Sequence, residues 1–262
     1  MERADSLLFD RAVDYYDKTR SLSSASMDKL VTAIRRSAGD GPCLEIGVGT
    51  GRIARPLQAA GTDMVGIDLS LAMMRRLVDN AGGDVPFPLA SADASSLPFA
   101  DDSFAAALAV HVLHLIPAWR RALEELGRVV RPSGSLVIDI GRQTQGPFRE
   151  LLAEFAAAAR IPEDHRGVRD SDELDAAMAE IGATLIRTDA LEEVRSATYA
   201  RTIEALEAGT YSITWAADQA TRNAAAAHTR RWAEARHGPL NRRYQYKLEI
   251  DLRTYRLPPP RF

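Results

Sequence analysis

The stretch Leu44-Glu45-Ile46-Gly47-Val48-Gly49-Thr50-Gly51-Arg52 constrains this 262-residue chain more than any other. A short apolar run from Pro42 to Gly47 delivers the backbone to three glycines at every second position, and a helical segment from Arg52 to Ala60 follows. Glycine reaches positive φ without steric cost and lets a backbone approach a ligand closely. The helix start then presents amide donors with no intrahelical partner. A strand, glycine turn and helix in this order predict a parallel α/β sheet, with a nucleotide-type cofactor in the crevice at the carboxyl ends of the strands. The dinucleotide fingerprint Gly-x-Gly-x-x-Gly would require a third glycine at position 52. That position is Arg52, and the third glycine is Gly51.

The rest of the chain continues the alternation of strands and helices. Strands are predicted over Asp63 to Asp68, Pro86 to Ala90, Ser103 to His111 and Ser135 to Ile140. Helices are predicted over Ser70 to Asn80 and from Pro117 to about Val130, with a turn at Pro132-Ser133-Gly134. In the second half, Pro147 to Arg160 and a segment opening at Ser171 read as helices, and Ala183 to Ala190 as a strand. Tyr199 to about His237 is alanine-rich and helical, broken near Gly209. Tyr244, Tyr246, Leu248, Ile250 and Leu252 alternate with polar residues. That period of two marks a strand with one wetter face, as in an antiparallel member of a mixed sheet. Pro258-Pro259-Pro260 cannot extend it.

Glu45-x-Gly47-x-Gly49-x-Gly51 resembles the first motif of class I S-adenosylmethionine-dependent methyltransferases. Further segments match that family in order. Gly66-Ile67-Asp68-Leu69-Ser70 ends the second strand with an acid that would accept both ribose hydroxyls. Met73 fits the pattern Asp-x-Ser-x-x-Met, either packing on the adenine or filling a helix core position. Ala92-Asp93-Ala94-Ser95 resembles the segment whose acid receives the adenine amino group, and a carboxylate suits a donor because it only accepts when ionised. Glu124 to Gly134 resembles the helix and turn before strand five, with Ser133 where the family more often has Gly. Phe9-Asp10 and Tyr16-Asp17 resemble the opening of the quinone-biosynthesis methyltransferases, which would bring Tyr16 to the cofactor. The matches cover about residues 9 to 141 and place the chain nearest the broad type 11 group.

The resemblance implies a Rossmann-like, doubly wound seven-stranded mixed sheet with its last strand antiparallel, a helical cap, and S-adenosyl-L-methionine as cofactor. The implied cofactor residues are Tyr16, Glu45, Gly47, Gly49, Gly51, Asp68, Leu69, Met73, Asp93, Ala94 and His111. The corresponding division is an N-terminal helical segment (1–40), a cofactor-binding core (41–145), the remainder of the core with an inserted helix (146–198), a helical cap (199–240) and a final strand and tail (241–262).

Methyl transfer needs orientation and desolvation more than a side-chain nucleophile, because the cofactor carries its own leaving group. A base helps only where the acceptor must lose a proton, and histidine suits that role near neutral pH. His111, at the exit of strand four, and His114 are the candidates; each is equally readable as an ordinary polar residue at a strand exit. His165, His228 and His237 fall in loops or on polar helix faces. Tyr199, Tyr211 and Trp215 would either line an apolar acceptor pocket or pack the cap. Arg222, Arg230, Arg231, Arg236, Arg242 and Arg243 read as a solvated face, or less simply as a site for an acidic partner.

Several classes are disfavoured. The net charge of -3 lacks the basic surplus of a nucleic-acid binder. Cys43 is the sole cysteine, so neither an intrachain disulfide nor a cysteine metal cluster is available. No metal-binding acidic pair and no Asp-Pro-Pro-Tyr signature follow strand four. The opening Met-Glu-Arg-Ala-Asp is too charged for a secretory signal, and no apolar run reaches the roughly 20 residues of a membrane span. The expectation is therefore a cytoplasmic enzyme methylating a small-molecule O, N or C acceptor. Two rivals stand beside it: a cofactor-binding partner protein that does not methylate, and a nicotinamide-dependent oxidoreductase.

Overall fold

The computed structural model describes residues 9–141, 143–162 and 166–260. The expectations for the charged opening at residues 1–5 and for His165 lie outside the described residues. The elements run α1 (Tyr16–Arg20), α2 (Ser24–Ala38), β1 (Cys43–Ile46), α3 (Ala54–Ala59), β2 (Met64–Asp68), α4 (Leu71–Asn80), β3 (Leu89–Ser91), β4 (Phe104–Ala109), α5 (Trp119–Val129) and β5 (Val130–Ile138). There follow β6 (Gln143–Gln145), α6 (Pro147–Ala158), α7 (Ser171–Glu180), β7 (Thr184–Thr198), α8 (Tyr199–Glu207), α9 (Gln219–His237) and β8 (Arg243–Arg256). The described residues divide into two compact units, 9–141 with 166–191 and 250–260, and 143–162 with 192–249.

In the first unit β3, β2, β1, β4 and β5 pair in parallel in that order, and β8 closes on β5 antiparallel. Successive strand residues point to opposite faces. Leu44, Ile46, Ala107, Ala109, Leu136 and Ile138 share one apolar cluster with Leu123 and Leu126 of α5 and Leu174 and Met178 of α7. Cys43, Glu45 and Leu108 alternate with these residues and are themselves buried. On that second side α2 packs against β4 and β5, and α3 and α4 against β2. Both faces of the sheet are thus covered, as a parallel sheet with helical crossovers requires. The order places the carboxyl ends of β1 and β4 side by side where the winding reverses, and a ligand crevice opens at such a point.

The second unit is built on three helices. Phe148, Leu151 and Phe155 of α6, Tyr199, Ile203 and Leu206 of α8, and Ala225, Ala226 and Ala233 of α9 form its core with Tyr244. The alanines of α9 let the helices approach closely. Arg222, read from sequence as part of a solvated basic face, is instead 9% exposed. Its guanidinium donates to the Glu207 carbonyl at the end of α8 (3.1 Å) and to the Ala217 carbonyl just before α9 (2.5 Å).

Several expected boundaries are corrected. The sheet has eight strands among the described residues, the addition being β6, which pairs with β8 at Gln143–Glu249. The third strand occupies Leu89–Ser91 because Pro86 and Pro88 have no N–H to donate. β5 begins at Val130, directly after α5. The segment Pro132-Ser133-Gly134 is a bulge inside the strand, since Phe104 pairs with Val130 but Ala106 with Ser135. β5 stops at Ile138 and β4 at Ala109, two residues before the expected ends, where Asp139 and His111 turn the chain. β7 runs on to Thr198 past the expected Ala190, its added charges pairing along the strand as in Arg195–Glu193 at 2.5 Å. β8 likewise extends to Arg256.

A half-buried polar knot fastens α7 to β8. Asp175 Oδ1 accepts from Arg253 Nε at 2.9 Å and from the Tyr255 hydroxyl at 2.5 Å, and Asp175 Oδ2 pairs with Arg253 Nη2. Tyr255 is 1% exposed, so Asp175→Ala leaves its hydroxyl without an acceptor, while Arg253 keeps Asp251 at 3.1 Å. That substitution is expected to lower stability by about 1–3 kcal/mol in urea unfolding; an unchanged midpoint would show that the knot contributes nothing net.

Candidate active site

The glycine loop after β1 is shaped by what packs behind it. Gly47 has φ +67°, and a Cβ there would lie 2.5 Å from Val112 Cγ2. Gly51 has φ +76°, and its Cβ would meet Leu77 Cγ at 2.7 Å. These two glycines admit neighbouring side chains. Gly49 differs: the atom nearest its Cβ position is Met73 Cε at 3.5 Å, and it faces a cleft.

Asp68, at the end of β2, ties this loop to the next helix. Its Oδ2 accepts the Gly49 amide and its Oδ1 the Ser70 amide, each at 2.8 Å. Ser70 caps α4 by accepting from Met73 N at 3.0 Å. Burial pushes the Asp68 carboxyl above the usual carboxylate range, against the pull of those two amides. The N-terminal segment is bound to the same elements. Asp10 accepts the Ser70 hydroxyl, and Asp17 accepts the Thr50 hydroxyl at 2.5 Å and the Asn80 amide at 2.9 Å. These bonds bring Phe9 and Tyr16 to the cleft as an edge-to-face pair, centroids 5.8 Å apart.

The cleft takes in Tyr16, Gly47, Gly49, Asp68, Leu69, Met73, Asp93, Ala94 and His111 from the sequence reading. Met73 lines it while being 2% exposed, so the cofactor and core readings of that residue describe one position. Asp93 Oδ1 is engaged by the Ser95 amide at 2.8 Å and hydroxyl at 2.7 Å. Glu45 and Gly51 stand behind the wall, and His114 does not line it. Tyr199, Tyr211 and Trp215 belong to the second unit. There Tyr199 stacks on His237 at 4.8 Å, Tyr211 meets Phe148 edge-on at 5.6 Å, and Trp215 Nε1 donates to the Gly209 carbonyl at 2.8 Å.

The two histidines at the exit of β4 have opposite settings. His111 adopts φ +61° and lines the cleft. Its amide donates to Asp139 Oδ1 at 2.7 Å, and its Nδ1 is paired with Asp139 Oδ2. Burial opposes ionisation of Asp139, but the His111 ring and the His111 and Gly141 amides outweigh it and hold the carboxyl below its usual range. Burial instead drives His114 down to about 4, so it is neutral near pH 7. Asp139 was missed in sequence; its only signal was an acid directly after a buried strand. Cys43, pushed up to about 12 by burial, is no nucleophile.

The residues present fit a cationic nucleoside cofactor. The ionisable side chains among the described residues lining the cleft are Tyr16, Asp68, Asp93 and His111. Behind the loop, Glu45 is 2% exposed and its Oε2 has no hydrogen-bond partner. Burial raises its pKa to about 8, with nearby Arg52 pulling the other way.

These features define the class, an α/β nucleoside-cofactor enzyme. A methyltransferase-domain model of the type 11 group matches residues 44–138. Demethylmenaquinone methyltransferase of Streptomyces avermitilis is 30% identical over 200 residues, covering 74% of this chain and 85% of that protein. The Renibacterium salmoninarum enzyme of the same name is 32% identical over 158 residues, covering 58% of this chain and 65% of that one, just under two thirds of its length. A solved Bacillus halodurans methyltransferase superposes with TM-score 0.61 at 16% identity, covering 90% of this chain and all of that one. A Haemonchus contortus phosphoethanolamine N-methyltransferase, solved with S-adenosylhomocysteine, superposes with TM-score 0.56 at 17% identity, covering 95% of this chain and 57% of that one. The chain belongs to the S-adenosylmethionine-dependent methyltransferases of the quinone-biosynthesis type. S-adenosylmethionine is the cofactor of that family. Among the described residues no helix is long and apolar enough to cross a membrane.

Glu45 yields a pH prediction. The unfolded chain releases this proton near the ordinary value of 4.5 and the fold releases it near 8. Between those values the folded state holds a proton that the unfolded state has lost, so stability falls as pH rises from about 4.5 to 8. Glu45→Gln mimics the protonated acid and should flatten that slope, gaining about 3 kcal/mol over wild type at pH 8 relative to pH 5. Parallel stability curves for the two proteins would mean that Glu45 ionises normally.

Proposed function

We propose that the protein methylates a reduced quinone, a dihydroxy-aromatic ring, with His111 as general base. The observation that carries the reading is the setting of His111. A single histidine meets the cleft beside an apolar wall of Val110, Val112, Leu115 and Ile116. Such a wall suits a flat apolar ring, and the histidine suits its one acidic group, a phenolic hydroxyl. The name demethylmenaquinone methyltransferase, carried by the relatives, supports the same acceptor class.

The chemistry favours the reduced ring. An oxidised quinone is electron-poor and has no hydroxyl to ionise. Removal of a hydroxyl proton by His111 makes the ring carbon beside it nucleophilic. The cofactor, when bound, supplies an electrophilic methyl carbon with a neutral thioether as leaving group. The new carbon–carbon bond forms as the carbon–sulfur bond breaks, and loss of the ring hydrogen as a proton restores the hydroquinone. In this reading Asp68 holds the ribose hydroxyls, Asp93 receives the adenine amino group, and the apolar wall excludes water from the reacting atoms.

Two experiments test the reading. Incubation with demethylmenaquinol under reducing conditions and deuteromethyl-labelled cofactor should yield a labelled ring in the mass spectrum. No label with the quinol, or equal label with the oxidised quinone, would overturn the acceptor assignment. Separately, Asp68→Ala should weaken S-adenosylhomocysteine binding by about 1–3 kcal/mol in calorimetry, the usual cost of stranding polar partners. Unchanged affinity would place the ribose elsewhere.

A further inference from the structure

We infer that Asp139 is the positioning residue for His111, fixing which ring nitrogen carries the proton and where the ring stands in the cleft. The inference rests on reading the cleft as a methyl-transfer site with His111 as base, and extends it to a residue that never meets the acceptor.

Asp139 is 0% exposed. It sits one residue past β5, beside the exit of β4, with its own amide donating to the Ala109 carbonyl at 3.2 Å. Its Oδ1 accepts the His111 amide at 2.7 Å and the Gly141 amide at 2.8 Å, while Oδ2 meets His111 Nδ1. One carboxylate therefore grips both the backbone and the ring of the same histidine. The backbone grip holds His111 at φ +61°, a region that non-glycine residues rarely adopt. Such strain persists only where surrounding bonds over-determine it.

The ring grip has a chemical consequence. An ionised carboxylate only accepts, so Nδ1 must carry hydrogen and the acid–base work falls to Nε2. When Nε2 takes the hydroxyl proton, the resulting imidazolium lies against a buried anion. The local charges then go from an anion beside a neutral ring to an ion pair, and the proton later passes to solvent. The other ionisable groups around the pair are His114, kept neutral by burial, Arg20 of α1, whose charge reaches His114, and Asp68 and Tyr16 lining the cleft. Gly141 completes the turn at φ +96°, and a Cβ there would press on His114 Nδ1 at 3.0 Å.

A purely structural Asp139 would staple the two turns and do nothing more. Asp139→Asn separates the roles, because its amide oxygen still accepts the two backbone N–H groups while its NH₂ group donates to Nδ1 and forces the hydrogen to Nε2. The first measurement needs neither variant activity nor an acceptor. Nitrogen-15 NMR of the wild-type protein with S-adenosylhomocysteine, the His111 signals assigned by their loss in His111→Gln, should show hydrogen on Nδ1 near neutral pH. Hydrogen on Nε2 alone overturns the inference, whatever the acceptor proves to be. In Asp139→Asn the hydrogen should move to Nε2 and S-adenosylhomocysteine affinity should stay within about threefold. In that variant kcat should fall about a hundredfold or more with little change in KM, and the acidic limb of its pH profile should move to lower pH. An unchanged kcat and limb, or a loss of activity that only tracks a loss of cofactor binding, leaves Asp139 a staple and overturns the role. A failed quinol assay together with the Nδ1 tautomer would overturn the acceptor assignment alone.

Discussion

The carboxylate of Asp68 accepts one amide from the glycine loop and one from the start of α4, and both of these cleft-lining elements are hung from it. Two loops following different strands would otherwise carry unpaired backbone donors at their closest approach, and buried donors of that kind are rarely left unmet. Once Gly49 and Ser70 are fixed, the rest of the near wall follows. Ser70 caps α4 and sets Met73 on the cleft floor. Asp10 and Asp17 then use the Ser70 and Thr50 hydroxyls and Asn80 to draw the N-terminal segment across. The paired Phe-Asp and Tyr-Asp dipeptides thus have a division of labour: the acids anchor and the rings face the cleft.

The far wall uses the same device with different chemistry. Asp139 also accepts two amides from turns after adjacent strands, but it faces a histidine where Asp68 faces a crevice. That difference separates the ionisation of the two acids. Burial raises Asp68, whose partners are neutral amides, whereas the imidazole beside Asp139 outweighs burial. It also explains why two histidines three residues apart diverge. His114 Nδ1 is buried without a hydrogen-bond partner, and desolvation leaves it neutral.

Legibility from sequence tracked the range of the interactions. The glycine loop, the acid ending β2 and the helix caps act within a few residues, so Gly47, Asp68 and Ser70 carry their geometry in the local pattern. The parallel core was legible because buried strands such as Phe104–Ala109 are continuous apolar runs bounded by turn residues. What escaped depends on distant partners. The bulge at Pro132-Ser133-Gly134 resembles a turn until β4 is placed beside it. The far half of β7 resembles a polar loop until its charges are seen to pair along the strand. Asp139 has no motif of its own; its meaning lies in His111, 28 residues earlier. The buried Arg222 escaped for the same reason, since only the end of α8 shows what its guanidinium caps.

The electrostatics of the cleft bear on how cofactor and acceptor are told apart. Asp68 and Asp93 line the cleft, and the buried, partnerless oxygen of Glu45 stands behind the loop. A protein that buries acids at a site lowers its own stability unless they are protonated or matched by a cation. S-adenosylmethionine brings two positive centres, an ammonium and a sulfonium, while S-adenosylhomocysteine retains only the ammonium. The wall of Val110, Val112, Leu115 and Ile116 carries no charge and suits the neutral ring. His111 stands among these apolar residues, and in the proposed reaction it takes the acceptor's proton there. A lysine at that position would be cationic near neutral pH and would repel the donor, whereas an imidazole can both take up and release a proton in that range.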